Sequence, residues 1–216
     1  MDPACERLIV LESAFEDRGT QGTGLARHCV RRGPLRILKD YVPVSKLVDQ
    51  IREALTVFAG IGTRPALIGG LALAAHDVVR ATQDVDFLVD ADDADRLHDA
   101  LLSLGYICIH RSEDAANYVR HDERLDFLYA HRPIARRLLA EADERDTPLG
   151  PVRVISVEGL IAFKLQAYVN DPRRTRDMDD IRALLRANHD LNRKELREYF
   201  VLFQREELLD ELVAGS

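Results

Sequence analysis

Two aspartates, Asp84 and Asp86, are separated by a single valine within an apolar stretch of the sequence. Side chains at positions i and i+2 of a strand point to the same face of a sheet, so the two carboxylates would lie side by side. Like charges in that arrangement repel each other unless a cation lies between them. Flanking residues such as Phe87 and Val89 indicate a buried strand rather than an exposed edge, and unpaired carboxylates are costly there. The pair therefore predicts a divalent metal site.

A third acidic residue, Asp126, stands in a second apolar segment, Arg-Leu-Asp-Phe-Leu-Tyr, which has the composition of a strand. If the two strands are neighbours, Asp84, Asp86 and Asp126 converge on one site. Their oxygen ligands suit Mg²⁺ or Mn²⁺, and Mg²⁺ in proteins is commonly bound together with substrate phosphates. Two metal ions held in this way would align an attacking hydroxyl with a phosphate and stabilise the leaving group.

A glycine pair, Gly69-Gly70, lies between a short apolar strand and an apolar helical segment. Glycine lets the backbone approach a ligand closely, and the start of the following helix favours an anion such as phosphate. A simple packing turn explains an isolated glycine pair equally well. Its combination with Asp84 and Asp86 is more specific, because a phosphate cradle and a metal site are the two halves of a nucleoside triphosphate site.

Lys164 interrupts an otherwise apolar helical face that it shares with Ile161. It either contacts a charged group inside the protein or snorkels from the rim of that face to solvent. On the next predicted helix, Asp177 and Asp180 share the inward face, whereas Asp179 points to solvent. The spacing thus separates two candidate site residues from an ordinary surface charge.

The periodicity of apolar residues indicates which elements position these side chains. Helices are predicted at residues 44–58, 71–79, 95–104, 134–144, 156–169, 175–185 and 192–213, the last as one helix or two. Strands are predicted at residues 66–68, 82–89, 106–110, 116–120, 124–129 and 152–155. This order predicts an α/β (α+β) protein whose mixed α/β core, residues 44–130, precedes a mostly helical region, residues 131–216. Residues 1–43 show no clear pattern and are interpreted as a peripheral extension.

Composition indicates an ordinary globular protein: of 216 residues, 46% are hydrophobic and 31% are charged. The sequence has neither an apolar run long enough to span a membrane nor a basic and apolar leader, so we expect a cytoplasmic protein without membrane contact. Cys5, Cys29 and Cys108 are odd in number and widely spaced, which argues against both a disulfide framework and a zinc site.

Nucleic-acid binding would require a local basic patch, because the formal net charge of the chain is -7. Two arginine clusters could provide one, residues 31–36 and the group Arg173, Arg174 and Arg176. A solvated surface is the ordinary explanation for either cluster.

Four separate pieces of the sequence together resemble polymerase β-like nucleotidyltransferases, most closely the AbiEii and MenT branch known from abortive-infection and toxin-antitoxin systems. The pieces are Gly69-Gly70, Arg80-Ala-Thr-Gln-Asp84-Val-Asp86-Phe, Ser156-Val-Glu-Gly-Leu-Ile-Ala-Phe-Lys164 and Arg176-Asp-Met-Asp-Asp180-Ile. The resemblance covers about residues 64–187 and leaves out residues 1–43 and the final helix. It implies a nucleotidyltransferase core with a mixed sheet and helices.

The resemblance also implies roles for individual residues. Asp84 and Asp86 are expected to bind metal, and Asp126 occupies the position where a carboxylate can deprotonate the acceptor hydroxyl. Lys164 is expected to contact the triphosphate, and Asp177 to hold Lys164 or the nucleotide in place.

The remaining expected site residues have secondary roles. Asp180 is expected to be structural, while Gly69, Gly70, Arg80 and Thr82 are nucleotide-binding candidates. Arg80 could meet a phosphate, although a surface ion pair explains it equally well. The broader superfamily often has Gly-Ser where this chain has Gly69-Gly70, so a hydroxyl contact to phosphate is missing there and binding would depend on backbone N–H groups.

The function that the resemblance implies is a Mg²⁺-dependent transfer of a nucleoside monophosphate from an NTP to an acceptor hydroxyl, with release of pyrophosphate. The favoured branch is a toxin acting on tRNA, which Arg173, Arg174 and Arg176 would contact, with a cognate antitoxin as a further partner. An antibiotic-modifying or protein-modifying enzyme stays open. So does a non-catalytic protein of the same fold that binds a nucleotide or a partner.

Overall fold

A computed structural model of the chain describes residues 44–82, 84–147 and 150–214, so the predicted extension at residues 1–43 lies outside the described residues. The helices are α1 (Val44–Ile61), α2 (Gly69–Ala74), α3 (Ala94–Ser103), α4 (Pro133–Ala140), α5 (Val157–Asn170), α6 (Thr175–Ala187), α7 (Arg193–Leu202) and α8 (Glu206–Ala214). The strands are β1 (Ala66–Ile68), β2 (Val85–Asp90), β3 (Ile107–Arg111), β4 (Ala115–Arg120), β5 (Glu123–Ala130), β6 (Asp143–Thr147) and β7 (Gly150–Val154). Among the described residues, no helix is both long enough and apolar enough to cross a membrane.

The strands form one mixed sheet in the order β3-β4-β5-β2-β1-β7-β6. Strand β2 runs parallel to β5, and β1 runs parallel to β7, whereas the other neighbouring strands are antiparallel. The predicted α/β class with a mixed sheet is therefore confirmed. The last four helices follow β7 and form the helical C-terminal part.

Three predicted element boundaries were wrong. Helix α2 ends at Ala74 rather than near residue 79, because the N–H groups of His76 and Val78 both donate to the Leu73 carbonyl, at 3.0 and 2.9 Å, and close the helix. Strand β2 begins at Val85, so Asp84 lies directly before the strand and not inside it.

The third error concerns the helix predicted at residues 134–144, which ends at Ala140 and is followed by the unpredicted strand β6. Four of the five β6 residues are exposed and the segment is mostly charged, so it carries no apolar alternation that would indicate a strand. It forms at the sheet edge through pairing with β7. The sheet therefore includes two strands from the predicted C-terminal region, and the domain boundaries stay a prediction.

An aromatic cluster joins α1 to the centre of the sheet. The ring of Phe58 lies 5.0 Å from that of Phe87 and 6.1 Å from that of Phe127, measured between ring centroids. Phe87 and Phe127 follow Asp86 and Asp126 in β2 and β5, so each aspartate points to the opposite face of the sheet from the aromatic ring after it. Packing on one face thus fixes the two strands that present the carboxylates on the other.

Phe58→Ala should lower the free energy of unfolding by about 3–5 kcal/mol, since it removes a fully buried ring that the surrounding sheet cannot replace. Urea denaturation followed by circular dichroism measures the change. Val201→Ala on α7 is the control, because Val201 is 49% exposed and its truncation should change stability by less than about 0.5 kcal/mol. Equal effects of the two substitutions would contradict this role of the aromatic cluster.

Candidate active site

Asp86 and Asp126 are direct neighbours across the parallel strands β2 and β5. On the other side of β2, the antiparallel pairing with β1 places Asp86 opposite Ile68, which directly precedes the glycine pair. Asp84 lies one residue before β2. The condition on which the three-carboxylate prediction depended, that the two strands are neighbours, is therefore met.

Burial and neighbouring charges raise the pKa values of Asp86 and Asp126. Burial, followed by the charges of Asp126 and Asp84, raises the pKa of Asp86 from its usual 3.8 to about 7, although a hydrogen bond from the Gly70 backbone and the charge of Lys164 act in the opposite direction. Burial, followed in the same direction by the charge of Asp84, also raises the pKa of Asp126. Such carboxylates gain from any cation that binds between them.

Asn117 on β4 is a site residue that the sequence patterns missed. Its Nδ2 donates to Asp126 Oδ1 at 2.7 Å, which opposes the upward shift in the pKa of Asp126 and fixes the direction of the carboxylate. A signal was present: Asn117 is a polar residue between the buried Ala116 and Tyr118, so it faces the same side of the sheet as the aspartates.

The glycine pair makes room for Asp86. Gly69 has a φ of +66°, and a Cβ atom there would lie 2.0 Å from Asp86 Oδ2, so only glycine fits without rearrangement. The Gly70 backbone N–H donates to the Asp86 carboxylate, and a Cβ at residue 70 would lie 2.6 Å from the Cβ of Thr82. Close packing thus explains both glycines, and phosphate binding by their N–H groups stays a prediction.

The donor set fits a divalent cation by its chemistry. Within residues 44–82, 84–147 and 150–214, no three His, Cys, Asp or Glu side chains are close enough together to form a metal-binding cluster. Asp84, Asp86 and Asp126 nevertheless offer only oxygen ligands, which Mg²⁺ prefers, and a cation would offset the burial and the neighbouring charges that raise the pKa of Asp86. Their role as metal ligands stays a prediction.

Lys164 on α5 carries a buried amine. The residue is 5% exposed, and its Nζ lies 3.2 Å from Asp177 Oδ1 and 2.6 Å from Asp180 Oδ2 on α6. Snorkelling to solvent is therefore ruled out for Lys164. Asp179 instead forms an exposed ion pair with Arg182, which confirms the predicted separation of Asp177 and Asp180 from the surface charge.

Arg80 and Thr82 lie in the segment that leads to Asp84. Arg80 Nε is 3.1 Å from Asp180 Oδ1, and the Arg80 side chain is only 26% exposed, so the residue forms a partly buried ion pair. The Thr82 hydroxyl donates to the Asp84 carbonyl oxygen at 3.4 Å. Both side chains thus hold the segment before β2, and a direct contact of either with nucleotide stays a prediction.

A cleft of about 340 Å³ separates the carboxylate face of the sheet from α5 and α6. It is lined by Ile68, Gly69, Asp86, Ala115, Asn117, Asp126, Phe127, Leu128, Leu160, Phe163, Lys164, Ala167, Arg174 and Asp177. The sheet and the C-terminal helices thus form the two walls of one cleft. Of the arginine cluster, Arg174 lines this cleft and pairs with Asp177 at 2.6 Å, whereas Arg173 is largely exposed and pairs with Asp171.

The family described as "Nucleotidyl transferase AbiEii toxin, Type IV TA system" matches residues 102–213, just over half of the chain. The match includes Asp126, Lys164 and Asp177, and it reaches the last helix, which lies beyond the stretch of resemblance predicted from the sequence. Asp84 and Asp86 precede the matched residues. Among curated proteins, none matches the sequence significantly.

Several solved structures share the fold. The antibiotic-resistance factor ANT(2'')-Ia has a TM-score of 0.58 and 18% identity, with 80% of this chain and 99% of that chain covered. The lincosamide antibiotic adenylyltransferase LnuA, lincomycin-bound, has a TM-score of 0.50 and 16% identity over 65% of this chain and 97% of that chain. An antigenic nucleotidyltransferase-like protein from Paracoccidioides brasiliensis has a TM-score of 0.50 and 16% identity over 79% of this chain and 93% of that chain. At these identities the likeness shows the fold alone.

Gly69→Ala should lower the free energy of unfolding by about 1–3 kcal/mol, through a left-handed backbone that alanine disfavours and the displacement of Asp86. Gly60→Ala is the matched control. A Cβ at Gly60, in α1, meets nothing within 4 Å, so the substitution should stabilise the helix by about 0.5–1 kcal/mol. Urea denaturation of both variants checks the opposite signs, and a neutral Gly69→Ala would show that Asp86 does not need the glycine.

Asp86→Asn should stabilise the metal-free protein at pH 8. Because the pKa of Asp86 is raised in the folded protein, the folded state binds the carboxyl proton of Asp86 more tightly than the unfolded chain does. The free energy of unfolding therefore falls as pH rises from about 4 to about 7. Asparagine removes that loss, which is roughly 2–4 kcal/mol at pH 8 and shrinks toward pH 4.

The measurement is urea denaturation in EDTA across this pH range, repeated with MgCl₂. Mg²⁺ should stabilise the wild-type protein and have little effect on Asp86→Asn, since a ligand that binds only the folded state raises its stability. Equal stability of the two proteins in EDTA at pH 8 would contradict the raised pKa of Asp86. An equal response to MgCl₂ would remove Asp86 from the metal site.

Proposed function

This chain belongs to the AbiEii nucleotidyl transferase family, and on that basis we propose that it moves a nucleoside monophosphate from an NTP to an acceptor hydroxyl and releases pyrophosphate in a Mg²⁺-dependent reaction. Family membership also confirms the resemblance to polymerase β-like nucleotidyltransferases. One observation carries the proposal: Asp86 and Asp126 on the sheet face Lys164 on α5 and Arg174, which directly precedes α6, across a single cleft. Carboxylates on one wall and cations on the other suit a metal-bound triphosphate.

Asp84, Asp86 and Asp126 would hold the metal. A metal ion held there would help to align the acceptor oxygen with the α-phosphate and would offset the negative charge on the leaving pyrophosphate. The protein must therefore place three oxygen-bearing side chains on one face of the sheet. The β2–β5 register does this for Asp86 and Asp126.

Asp126 is the proposed general base. Its carboxylate takes the proton of the acceptor hydroxyl while the acceptor oxygen forms a bond to the α-phosphorus, and the bond from that phosphorus to the β-phosphate oxygen breaks. Burial raises the pKa of Asp126, which makes it a stronger base than an exposed aspartate, and Asn117 holds the carboxylate in position. Lys164 and Arg174 would bind the phosphate oxygens of the nucleotide.

The proposed acceptor is RNA, and specifically tRNA, with the protein acting as a toxin controlled by a cognate antitoxin. Support comes from the family description, which names a toxin and a type IV toxin-antitoxin system. The basic segment with Arg173, Arg174 and Arg176 adds a local positive patch to an acidic protein, and Arg174 reaches the cleft itself. Contacts of Arg residues with phosphates would position an RNA without reading its sequence.

Incubation of the protein with each α-labelled NTP, MgCl₂ and total tRNA should label the RNA with one of the four nucleotides. Asp84→Ala and Asp86→Ala should each lower the rate by about 100-fold or more, since loss of a metal ligand removes much of the charge stabilisation. Asp179→Ala should label normally, because Asp179 is exposed and pairs only with Arg182 among the described residues. Induced expression should stop growth with the wild type but not with Asp86→Ala.

Three outcomes decide between the acceptors. Labelled tRNA that depends on Asp84 and Asp86 supports the proposal. Label on tobramycin or lincomycin but not on RNA would replace the tRNA acceptor with a small antibiotic. These two compounds are chosen because similar structures contain ANT(2'')-Ia with adenylyl-2''-tobramycin and LnuA with lincomycin. Labelling that is unchanged in both aspartate variants would rule out the proposed metal site.

A further inference from the structure

Five charged side chains form one continuous series of ion pairs at the helical wall of the cleft. Arg80 Nε lies 3.1 Å from Asp180 Oδ1, and Asp180 Oδ2 lies 2.6 Å from Lys164 Nζ. Lys164 Nζ lies 3.2 Å from Asp177 Oδ1, and Asp177 Oδ2 lies 2.6 Å from Arg174 Nε. The series therefore alternates in charge and has one cation more than it has anions.

The series divides into a front part and a back part. Lys164, Arg174 and Asp177 line the cleft. Arg80 and Asp180 are not among its described lining residues, and Asp180 is only 4% exposed. Arg80 thus contacts the back of the series, away from the space that a nucleotide would fill.

Asp180 has two cationic partners, Arg80 and Lys164. A buried carboxylate without a counter-ion is strongly unfavourable, so the loss of one partner tightens its hold on the other. Without Arg80, the Lys164 amine would be the one cation that pairs with Asp180 among the described residues. It would then be drawn toward the back of the series and away from the cleft.

We propose that Arg80 is a positioning residue that neutralises Asp180 and so leaves the Lys164 amine available to the triphosphate. The inference rests on the proposed function, in which Lys164 binds nucleotide phosphate. It differs from the prediction that Arg80 itself meets a phosphate. In this arrangement Arg80 acts on the nucleotide only through Asp180 and Lys164.

The same ion pair ties the segment before β2 to α6. Arg80 also donates from Nη1 to the Ala81 carbonyl oxygen at 3.1 Å, which orients the side chain within its own segment. That segment ends at Asp84, so Arg80 connects the start of the carboxylate strand with the helix that carries Asp177 and Asp180. The Arg80–Asp180 ion pair therefore connects the sheet side of the cleft to its helical side.

The test measures binding of inorganic triphosphate in MgCl₂ by isothermal titration calorimetry. Arg80→Met should raise the Kd about tenfold, the size expected when one charge-assisted contact to phosphate is lost. Asp180→Asn should bind at least as tightly as the wild type, and the double variant Arg80→Met/Asp180→Asn should return to within about twofold of it. Arg182→Met is the matched control, because Arg182 is exposed on α6 and pairs with Asp179.

The double variant separates the two roles of Arg80. A direct phosphate contact would be lost in both backgrounds, so a double variant as weak as Arg80→Met would overturn the inference. If Arg80→Met does not fold, the comparison of the double variant with Asp180→Asn alone gives the same answer: equal Kd values support positioning, and a tenfold difference overturns it.

The kinetics of nucleotidyl transfer provide a second readout. Arg80→Met should raise the KM for NTP with a small effect on kcat, and Asp180→Asn should reverse the rise, which a general loss of stability would not do. A wild-type protein that binds no triphosphate would refute the proposed function and this inference with it. Normal binding by the wild type and by Arg80→Met would refute the inference alone.

Discussion

Repulsion between two carboxylates is the constraint on which the site depends. Asp86 and Asp126 are neighbours on parallel strands, and burial, followed by the charges of Asp126 and Asp84, raises the pKa of Asp86 to about 7. On their own face of the sheet, the Gly70 N–H donates to Asp86 and Asn117 donates to Asp126, and the fold supports both strands from the opposite face. Phe58 packs against the rings that follow both aspartates, and Gly69 leaves the space that the Asp86 side chain fills. Close packing of the core therefore keeps the two carboxylates in place despite their repulsion.

The helical wall of the cleft contains a buried cation. Lys164 is a buried cation, which would also be unfavourable alone, and Asp177 and Asp180 provide its counter-charges. The two walls thus have opposite character: the sheet presents carboxylates, and the helical wall has three cations for the two carboxylates Asp177 and Asp180. A metal-bound triphosphate would satisfy both walls at once.

Local sequence patterns predicted the residues of the site better than they predicted its contacts. The apolar context of Asp86 and Asp126 on strands, and of Lys164 on a helix, identified side chains that the structure places around one cleft, whereas Asp84 lies just before β2 and is not among the lining residues. The contact between Arg80 and Asp180 was not predictable, because it joins residues 100 positions apart and depends on how α6 packs. Strand β6 was missed for a different reason, since its pairing partner alone makes a charged segment a strand.

Gly70 shows how a departure from a family pattern can follow from packing. The broader superfamily often has serine at this position, and a Cβ atom here would lie 2.6 Å from both the Cβ and the Oγ1 of Thr82. A serine at residue 70 and a threonine at residue 82 therefore exclude each other unless the backbone moves. Thr82 in turn bonds the Asp84 carbonyl oxygen and helps to hold the segment before β2. The glycine is thus linked to Thr82, and the space of the absent serine side chain is filled by a residue that supports Asp84.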